Sequence, residues 1–448
     1  MRPLPASFLW GTSTSAFQIE GAADEDGRGE SIWDRFCATP GKVRNADSGA
    51  VACDFYHRYP DDIELMRELG LDVFRFSIAW PRILPEGRGR VNAAGLDFYD
   101  RLVDSLLAAG IRPFPTLFHW DLPQPLEDAG GWPARATAEA FVEYVDVVAA
   151  RLGDRITDWI THNEPFCASW LGYGSGRHAP GRTSVPDALA AAHHLLLSHG
   201  WAVEVLRRHS PDADVGIAFD SSPVQPAGEG SADAEAVRIV DGINNRWFFD
   251  AVLRGAYPTD MLEHFASAAP PVVDGDLAVI AEPLDFVGVN NYSRRLVRAD
   301  PASGEPVEVR APTGQLTDMG WEVYPDGLYE VIMRLHAEYA VSKIYVTENG
   351  AAFPDVVSHD GLVHDLERRS YLESYTAAVD RALADGAPVA GYFVWSLLDT
   401  FEWSFGYSKR FGLVYVDYAT LRRIPKDSFY WYRDLIAPSR EPAASAPA

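Results

Sequence analysis

The chain has 448 residues, 47% hydrophobic and 23% charged, and its 39 Lys and Arg against 64 Asp and Glu leave a formal net charge of −25. That composition excludes a mostly disordered chain and supplies a large core. The acidity disfavours nucleic acid and anionic membrane surfaces as partners, because both repel a negative surface.

Eight short β-branched or aromatic runs alternate with longer amphipathic stretches. The predicted strands are Phe8–Ser13, Val73–Ile78, Arg112–Phe118, Asp158–His162, Val215–Ala218, Phe286–Val289, Ile344–Val346 and Tyr392–Trp395. Most are too apolar to be half-exposed, as parallel strands covered on both faces should be. Helical periodicity runs over Tyr59–Leu69, Ala94–Ala109, Ala136–Leu152, Val185–His209, Ile239–Leu253, Gly327–Tyr339 and Glu367–Ala384. This alternation predicts an α/β fold, a single (β/α)8 TIM barrel with long loops at the C-terminal face. No linker or internal repeat divides it, so residues 1–436 read as one domain. Residues 437–448, rich in Ala, Pro and Ser, read as a disordered tail. Three insertions, Asp220–Glu235, Arg294–Gly320 and Ala351–Asp365, leave the C-terminal ends of strands five, six and seven. The second has the turn residues of a hairpin or lid.

The N-terminus Met1-Arg-Pro-Leu-Pro-Ala-Ser7 lacks the apolar stretch of a signal peptide. No run of eighteen apolar residues occurs. Cys37, Cys53 and Cys167 are too few and odd for a disulfide framework. A cytoplasmic protein is expected.

Two glutamates stand out by position. Glu164 ends strand four in Thr161-His-Asn-Glu-Pro165, and Glu348 ends strand seven in Val346-Thr-Glu-Asn-Gly350. Strands four and seven lie across an eight-strand ring from each other, so the carboxylates face one another over the barrel mouth. Glycoside hydrolysis needs such a pair, one protonated and one ionised. Spacing alone leaves two unrelated, salt-bridged glutamates as the other reading. Neighbours favour the pair. Asn163 is placed to bond a sugar hydroxyl. Arg75, a charge inside the strand Phe74-Arg-Phe-Ser-Ile78, needs a buried carboxylate, for which Glu348 is a candidate. Tyr292 ends strand six beside strand seven, in reach of the same group.

Four strings complete the reading: Thr161-His-Asn-Glu-Pro165, Val346-Thr-Glu-Asn-Gly350, Phe8-Leu-Trp-Gly-Thr-Ser-Thr-Ser-Ala-Phe-Gln-Ile-Glu-Gly21 and Trp395-Ser-Leu-Leu-Asp-Thr-Phe-Glu-Trp-Ser-Phe-Gly-Tyr407. In order and over nearly the whole length, the sequence resembles glycoside hydrolase family 1, the β-glucosidase family. The resemblance implies a retaining glycosidase with Glu348 as nucleophile and Glu164 as general acid/base. It implies that Gln18, His119, Asn163, Glu402 and Trp403 bind sugar hydroxyls, that Trp395 is the platform under the ring and that Trp120 lines the same pocket. Tyr292, Arg75 and Asn290 would support the carboxylates, Asn290 and Tyr292 would also contact the substrate, and Trp321 would stack on the leaving group. It implies neither a metal nor an organic cofactor.

The expected substrate is a small unphosphorylated β-glucoside, with β-galactosides and β-fucosides as side substrates. The intact Glu402-Trp403 pair would repel a 6-phosphate, although Lys409-Arg410 just downstream keeps a 6-phospho-β-glucosidase as an alternative. A mainly transglycosylating enzyme shares every catalytic residue. A non-catalytic sugar-binding protein would lose a carboxylate, and a metal-dependent barrel hydrolase would need clustered His and Asp at strand ends. A monomer or small homo-oligomer is expected.

Overall fold

The computed structural model describes residues 5, 7–311 and 314–437. Eight parallel strands close into a barrel: β1 (Leu9–Ser13), β2 (Val73–Ser77), β3 (Arg112–Phe118), β4 (Asp158–Asn163), β5 (Asp214–Asp220), β6 (Phe286–Asn290), β7 (Ile344–Asn349) and β8 (Val389–Trp395). β1 closes the ring by pairing with both β2 and β8. All eight predicted strands are present. β2, β4, β6 and β7 are buried along their whole length, because helices cover one face and the barrel interior the other.

A layer of side chains fills the interior: Val73, Phe114, Ile160, Ala218, Phe286, Tyr345 and Phe393, one from each of seven strands. Phe114 meets Phe286, Tyr345 and Phe393 edge-on at centroid distances of 5.4 to 5.5 Å. Residues two positions further along a strand share its face. Above this layer therefore stand Arg75, Thr116, Thr347 and Trp395, the floor of a pocket at the C-terminal end of the barrel.

The outer helices are α1 (Phe55–Leu69), α2 (Ala93–Ala108), α3 (Arg135–Leu152), α4 (Val185–His209), α5 (Trp247–Arg254), α6 (Pro325–Tyr339), α7 (Leu366–Ala384) and α8 (Asp427–Ile436). Two differ from the periodic reading. The stretch expected at Ile239–Leu253 begins earlier, with a helix over Ser231–Asp241 that runs through a π-turn into α5. α8 was absent from the seven periodic segments. Its Phe-Tyr-Trp-Tyr run is a poor helix former on propensity alone, and tertiary contacts hold it. The Asp365 carboxylate accepts from Ser428 N at 2.8 Å, and the buried Tyr432 hydroxyl donates to the carbonyls of Gly11 and Tyr392, stitching β1 to β8.

The insertion after β6 is a hairpin, with Arg295–Ala299 antiparallel to Pro306–Glu308. Val224–Pro226, from the insertion after β5, adds a third strand in parallel. A second hairpin, Val414–Asp417 with Arg422–Pro425, was not foreseen. Of the tail expected over 437–448, residues 438–448 lie outside the described residues.

Candidate active site

Glu348 lies within β7 and Glu164 directly follows β4; both are buried. Glu164 is held by backbone that few residues tolerate. It adopts φ +47°, a left-handed conformation that is uncommon for a side chain this large, as do Trp120 (φ +80°) and Trp403 (φ +47°) nearby. Such strain persists where surrounding structure over-determines it. Gly350 closes the Glu-Asn-Gly string because a Cβ there would fall 1.7 Å from the Trp395 carbonyl oxygen.

A continuous hydrogen-bond network ties the two acids together. The Arg75 guanidinium donates to Glu348 Oε1 at 2.5 Å and to Asn163 Oδ1 at 2.6 Å. Asn290 Nδ2 donates to the same Asn163 oxygen at 2.9 Å and to Glu164 Oε1 at 2.7 Å. The Tyr292 hydroxyl donates to Glu348 Oε2 at 2.6 Å. Thr347 donates to Asn290 Oδ1 at 2.7 Å, which fixes that amide's orientation. Asn290 is wholly buried with both ends engaged, so its place is between the carboxylates. It was also expected to touch the sugar, but its amide is spent on Asn163, Glu164 and Thr347.

The carboxyls differ in charge environment. Burial pushes both upward. On Glu348, Arg75 and the Tyr292 and Asn290 hydrogen bonds oppose that push. On Glu164 the negative charges of Glu348 and Asp220 add to it, and the hydrogen bonds from Asn290 and Cys167 offset only part. Glu164 is thus the group that holds a proton, and Glu348 is the better-supported anion. Burial and the Glu348 charge also hold the Tyr292 phenol well above its ordinary range, so it remains a donor.

Of the predicted sugar-side residues, His119, Trp120, Trp395, Glu402 and Trp403 line one cavity of about 560 Å³ with the two acids, while Gln18 and Asn163 bond the lining residues Glu402 and His119. The Gln18 amide donates to Glu402 Oε2 at 3.3 Å and to the Phe401 carbonyl at 2.8 Å, while Ser15 donates to Gln18 Oε1. Burial, with the Glu348 charge second, pushes Glu402 up to about 8. His119 is kept neutral by burial and by Arg75. Because Asn163 Oδ1 accepts two bonds, Asn163 Nδ2 faces His119 Nε2 at 3.0 Å as donor, which places the His119 proton on Nδ1. That buried N–H has no partner among the described residues. The Trp120 indole donates to the Asn163 carbonyl at 3.0 Å. Trp403 is wedged between rings, with Trp33 at 4.5 Å, Trp120 at 4.6 Å and Phe17 stacked at 6.1 Å. Trp395 stacks on His119 at 5.9 Å.

Trp321 stands further out, 5.4 Å from Tyr292 and 6.2 Å from Phe411, in a small apolar cluster with Trp395 and Met319. Lys409 and Arg410 are engaged elsewhere. Lys409 bonds the carbonyl and carboxylate of Asp318, and Arg410 bonds Asp399. Among the described residues, no three or more His, Cys, Asp or Glu are grouped to hold a metal ion.

Sequence reasoning missed several lining residues. Asp220, the last residue of β5, is a third carboxylate beside Glu164; it sits 3.2 Å from Arg295 and within 4.0 Å of Cys167 Sγ. An acid ending a barrel strand was the signal that found Glu164 and Glu348, and it was equally available for Asp220. His178 lines the cavity with its ring 5.2 Å from Trp120. Phe405 and Phe411 carried no distinguishing signal.

The model of glycosyl hydrolase family 1 matches residues 1–441. The chain belongs to glycosyl hydrolase family 1. It is therefore a glycosidase. Within the family it is 47% identical over 437 residues to β-glucosidase A of Acetivibrio thermocellus, covering 96% of this chain and 98% of that one. It is 46% identical over 456 residues to a bifunctional β-D-glucosidase/β-D-fucosidase of Bifidobacterium breve, covering 97% and 98%. Among solved structures of the family, the β-glucosidase from Thermotoga maritima in complex with glucoimidazole superposes with a TM-score of 0.95 at 47% identity, covering 98% of this chain and all of that one.

Proposed function

We propose that this chain is a retaining β-glucosidase that removes terminal non-reducing β-D-glucosyl residues from β-glucosides and short β-linked oligosaccharides such as cellobiose. The observation that carries this reading is the unequal support of two buried carboxyls, one stabilised as an anion by Arg75 and Tyr292, the other kept protonated by burial and like charge. Glu348 attacks the anomeric carbon while Glu164 gives its proton to the departing oxygen, leaving a glycosyl ester. Forming the ester removes the Glu348 charge, so Glu164 then ionises more readily. It takes a proton from water as the hydroxide oxygen adds to the anomeric carbon, and Glu348 leaves as carboxylate.

In this reading Arg75, Asn290 and Tyr292 position the carboxylates. Gln18, His119, Asn163, Glu402 and Trp403 take sugar hydroxyls, His119 through its unpartnered Nδ1–H. Trp395 is the platform, Trp120 a wall and Trp321 the outer contact. Side activity on β-fucosides is supported by the name of the Bifidobacterium breve relative, and β-galactosides are expected with it. The 6-phosphate alternative is not favoured, because Lys409 and Arg410 are engaged by Asp318 and Asp399. A balance toward transglycosylation would use the same groups with a sugar acceptor in place of water.

We also take residues 1–436 as one catalytic domain, cytoplasmic, acting on small glycosides rather than on nucleic acid or membranes, as a monomer or small homo-oligomer. The net charge of −25 and three cysteines outside any disulfide support this, and no described helix is long and apolar enough to cross a membrane.

The test is hydrolysis of nitrophenyl β-glucoside by the wild type and by Glu348→Ala. Activity should fall by at least about 10⁴-fold in the variant, and azide should restore part of it with an α-glycosyl azide as product. A β-glycosyl azide, or an active Glu348→Ala enzyme, would overturn the assignment.

A further inference from the structure

The outer half of the cavity is charged, and its charges do not balance. Four arginines line it, Arg177, Arg294, Arg295 and Arg310, against three carboxylates outside the sugar pocket, Asp220, Glu308 and Glu322. All three carboxylates are engaged by two of the arginines. Arg294 holds Glu322 through both of its oxygens, at 2.7 and 3.0 Å. Arg295 bridges Asp220 at 3.2 Å and Glu308 at 2.6 Å. Arg177 and Arg310 are exposed and make no side-chain hydrogen bond or ion pair among the described residues.

Both backbones are anchored at the mouth. The Arg177 carbonyl accepts from Ser404 Oγ at 2.7 Å, beside Trp403. Val309, next to Arg310, donates its N–H to the Leu296 carbonyl of the hairpin at 2.8 Å. The two free guanidinium groups thus stand on separate walls of the same opening, one beside the sugar pocket and one on the hairpin. The floor does not cancel their field. Glu348 is matched by Arg75, and Glu164 is held protonated. In a chain of net charge −25, two unmatched cations at a substrate entrance attract anions locally. A planar guanidinium bonds carboxylate and phosphate oxygens directly. The anion belongs to the aglycone, because the sugar end is lined by Glu402 and its nearby cations Lys409 and Arg410 are engaged.

We propose that the mouth selects β-glucosides whose aglycone carries an anionic group, a carboxylate or a phosphate, held by Arg177 and Arg310. This rests on the β-glucosidase reading above and adds the substrate class of its outer subsite.

The test compares the β-glucoside of 3-(4-hydroxyphenyl)propanoic acid with that of its methyl ester. The two share one phenolic leaving group and differ in a remote charge. Exposed charge contacts are weak, so kcat/KM should favour the acid by roughly three- to tenfold at low ionic strength. The preference should shrink toward one in about 1 M salt and in Arg177→Gln/Arg310→Gln. Because the ratio is taken within each enzyme, a general loss of activity cancels. A third glucoside, with a phosphate monoester in place of the carboxylate, identifies which anion the mouth prefers. A wild type that cleaves the ester as fast as either anion overturns the proposal, as does a preference that survives in the double variant. If none of the three glucosides is cleaved, the β-glucosidase reading itself fails.

Discussion

Arg75 and Arg295 both face carboxylates of one pocket, but under different physics. The Arg75 side chain has 0% exposure and pairs with Glu348, itself 4% exposed, among the ends of barrel strands. Arg295 is 26% exposed and bridges Asp220 to the 57% exposed Glu308 on a hairpin. On the floor, Arg75, Asn163, Asn290, Tyr292 and Thr347 form a connected network in which each group fixes the next. Low dielectric makes each of those bonds strong and each loss costly. At the mouth, water competes for the same contacts, so charge steers more than it holds. The comparison separates where chemistry is set from where substrates are sorted.

The largest expected effect on this contrast comes from removing the floor's proton. Glu164→Gln should slow β-glucosides with poor leaving groups by about 10²- to 10⁴-fold and activated aryl glucosides far less, because only the former need a proton. Rates on a series of aryl glucosides of rising leaving-group pKa measure this. Equal slowing across the series would remove Glu164 from the acid's role.

Arg75→Met comes next. It leaves Glu348 as an uncompensated buried carboxylate and strips a donor from Asn163. Breaking a buried pair from one side costs about 3–5 kcal/mol, which thermal or denaturant unfolding would register. The surviving activity should fall in kcat, since Glu348 would then favour its neutral form. A variant as stable as the wild type would mean that the floor relaxes as freely as the mouth.

Much of the floor was legible because its logic is local. An apolar run ending in Asn-Glu-Pro or Glu-Asn-Gly marks a strand whose last side chain reaches the barrel mouth, and an arginine inside such a run demands an acid. Other parts depend on distant partners. The link between Arg295 and Asp220 joins the hairpin after β6 to the end of β5. The bond from Asn290 to Glu164 exists only once β6 and β4 are placed around the ring. α8 forms because Asp365 and the strand carbonyls receive it, which its own composition does not announce. Asp220 was readable by the strand-end rule, but the Ser-Ser-Pro that follows it makes that stretch resemble a turn.

Asp220 joins the two regions, and its removal sharpens the contrast. Its negative charge raises Glu164, although less than burial and Glu348 do. Asp220→Asn removes that charge and frees Arg295 to act on Glu164 with the opposite sign. The Glu164 pKa should therefore fall. The alkaline limb of kcat/KM, which reports the acid in the free enzyme, should move to lower pH. A pH–rate profile on a substrate with a poor leaving group reads this. An unmoved limb would mean that the mouth's charges do not reach the catalytic acid.

The smallest effect is expected from Glu308→Gln. The 2.6 Å contact from Arg295 to Glu308 is among the shorter ion pairs of the pocket, yet more than half of the Glu308 side chain is open to water. Distance alone would rank it beside the 2.5 Å contact of Arg75 with Glu348. Exposure reverses that ranking, because an exposed pair contributes only about 0–1 kcal/mol after solvent and side-chain entropy are counted. Arg295 also keeps Asp220 as a partner. The melting temperature should therefore drop by no more than about 2 °C, given that 1 kcal/mol shifts larger domains by about 2–4 °C. A loss comparable to that of Arg75→Met would show that the hairpin is bound into the barrel as tightly as the floor. The mouth would then be a rigid template for its aglycone, not a charged and adjustable rim.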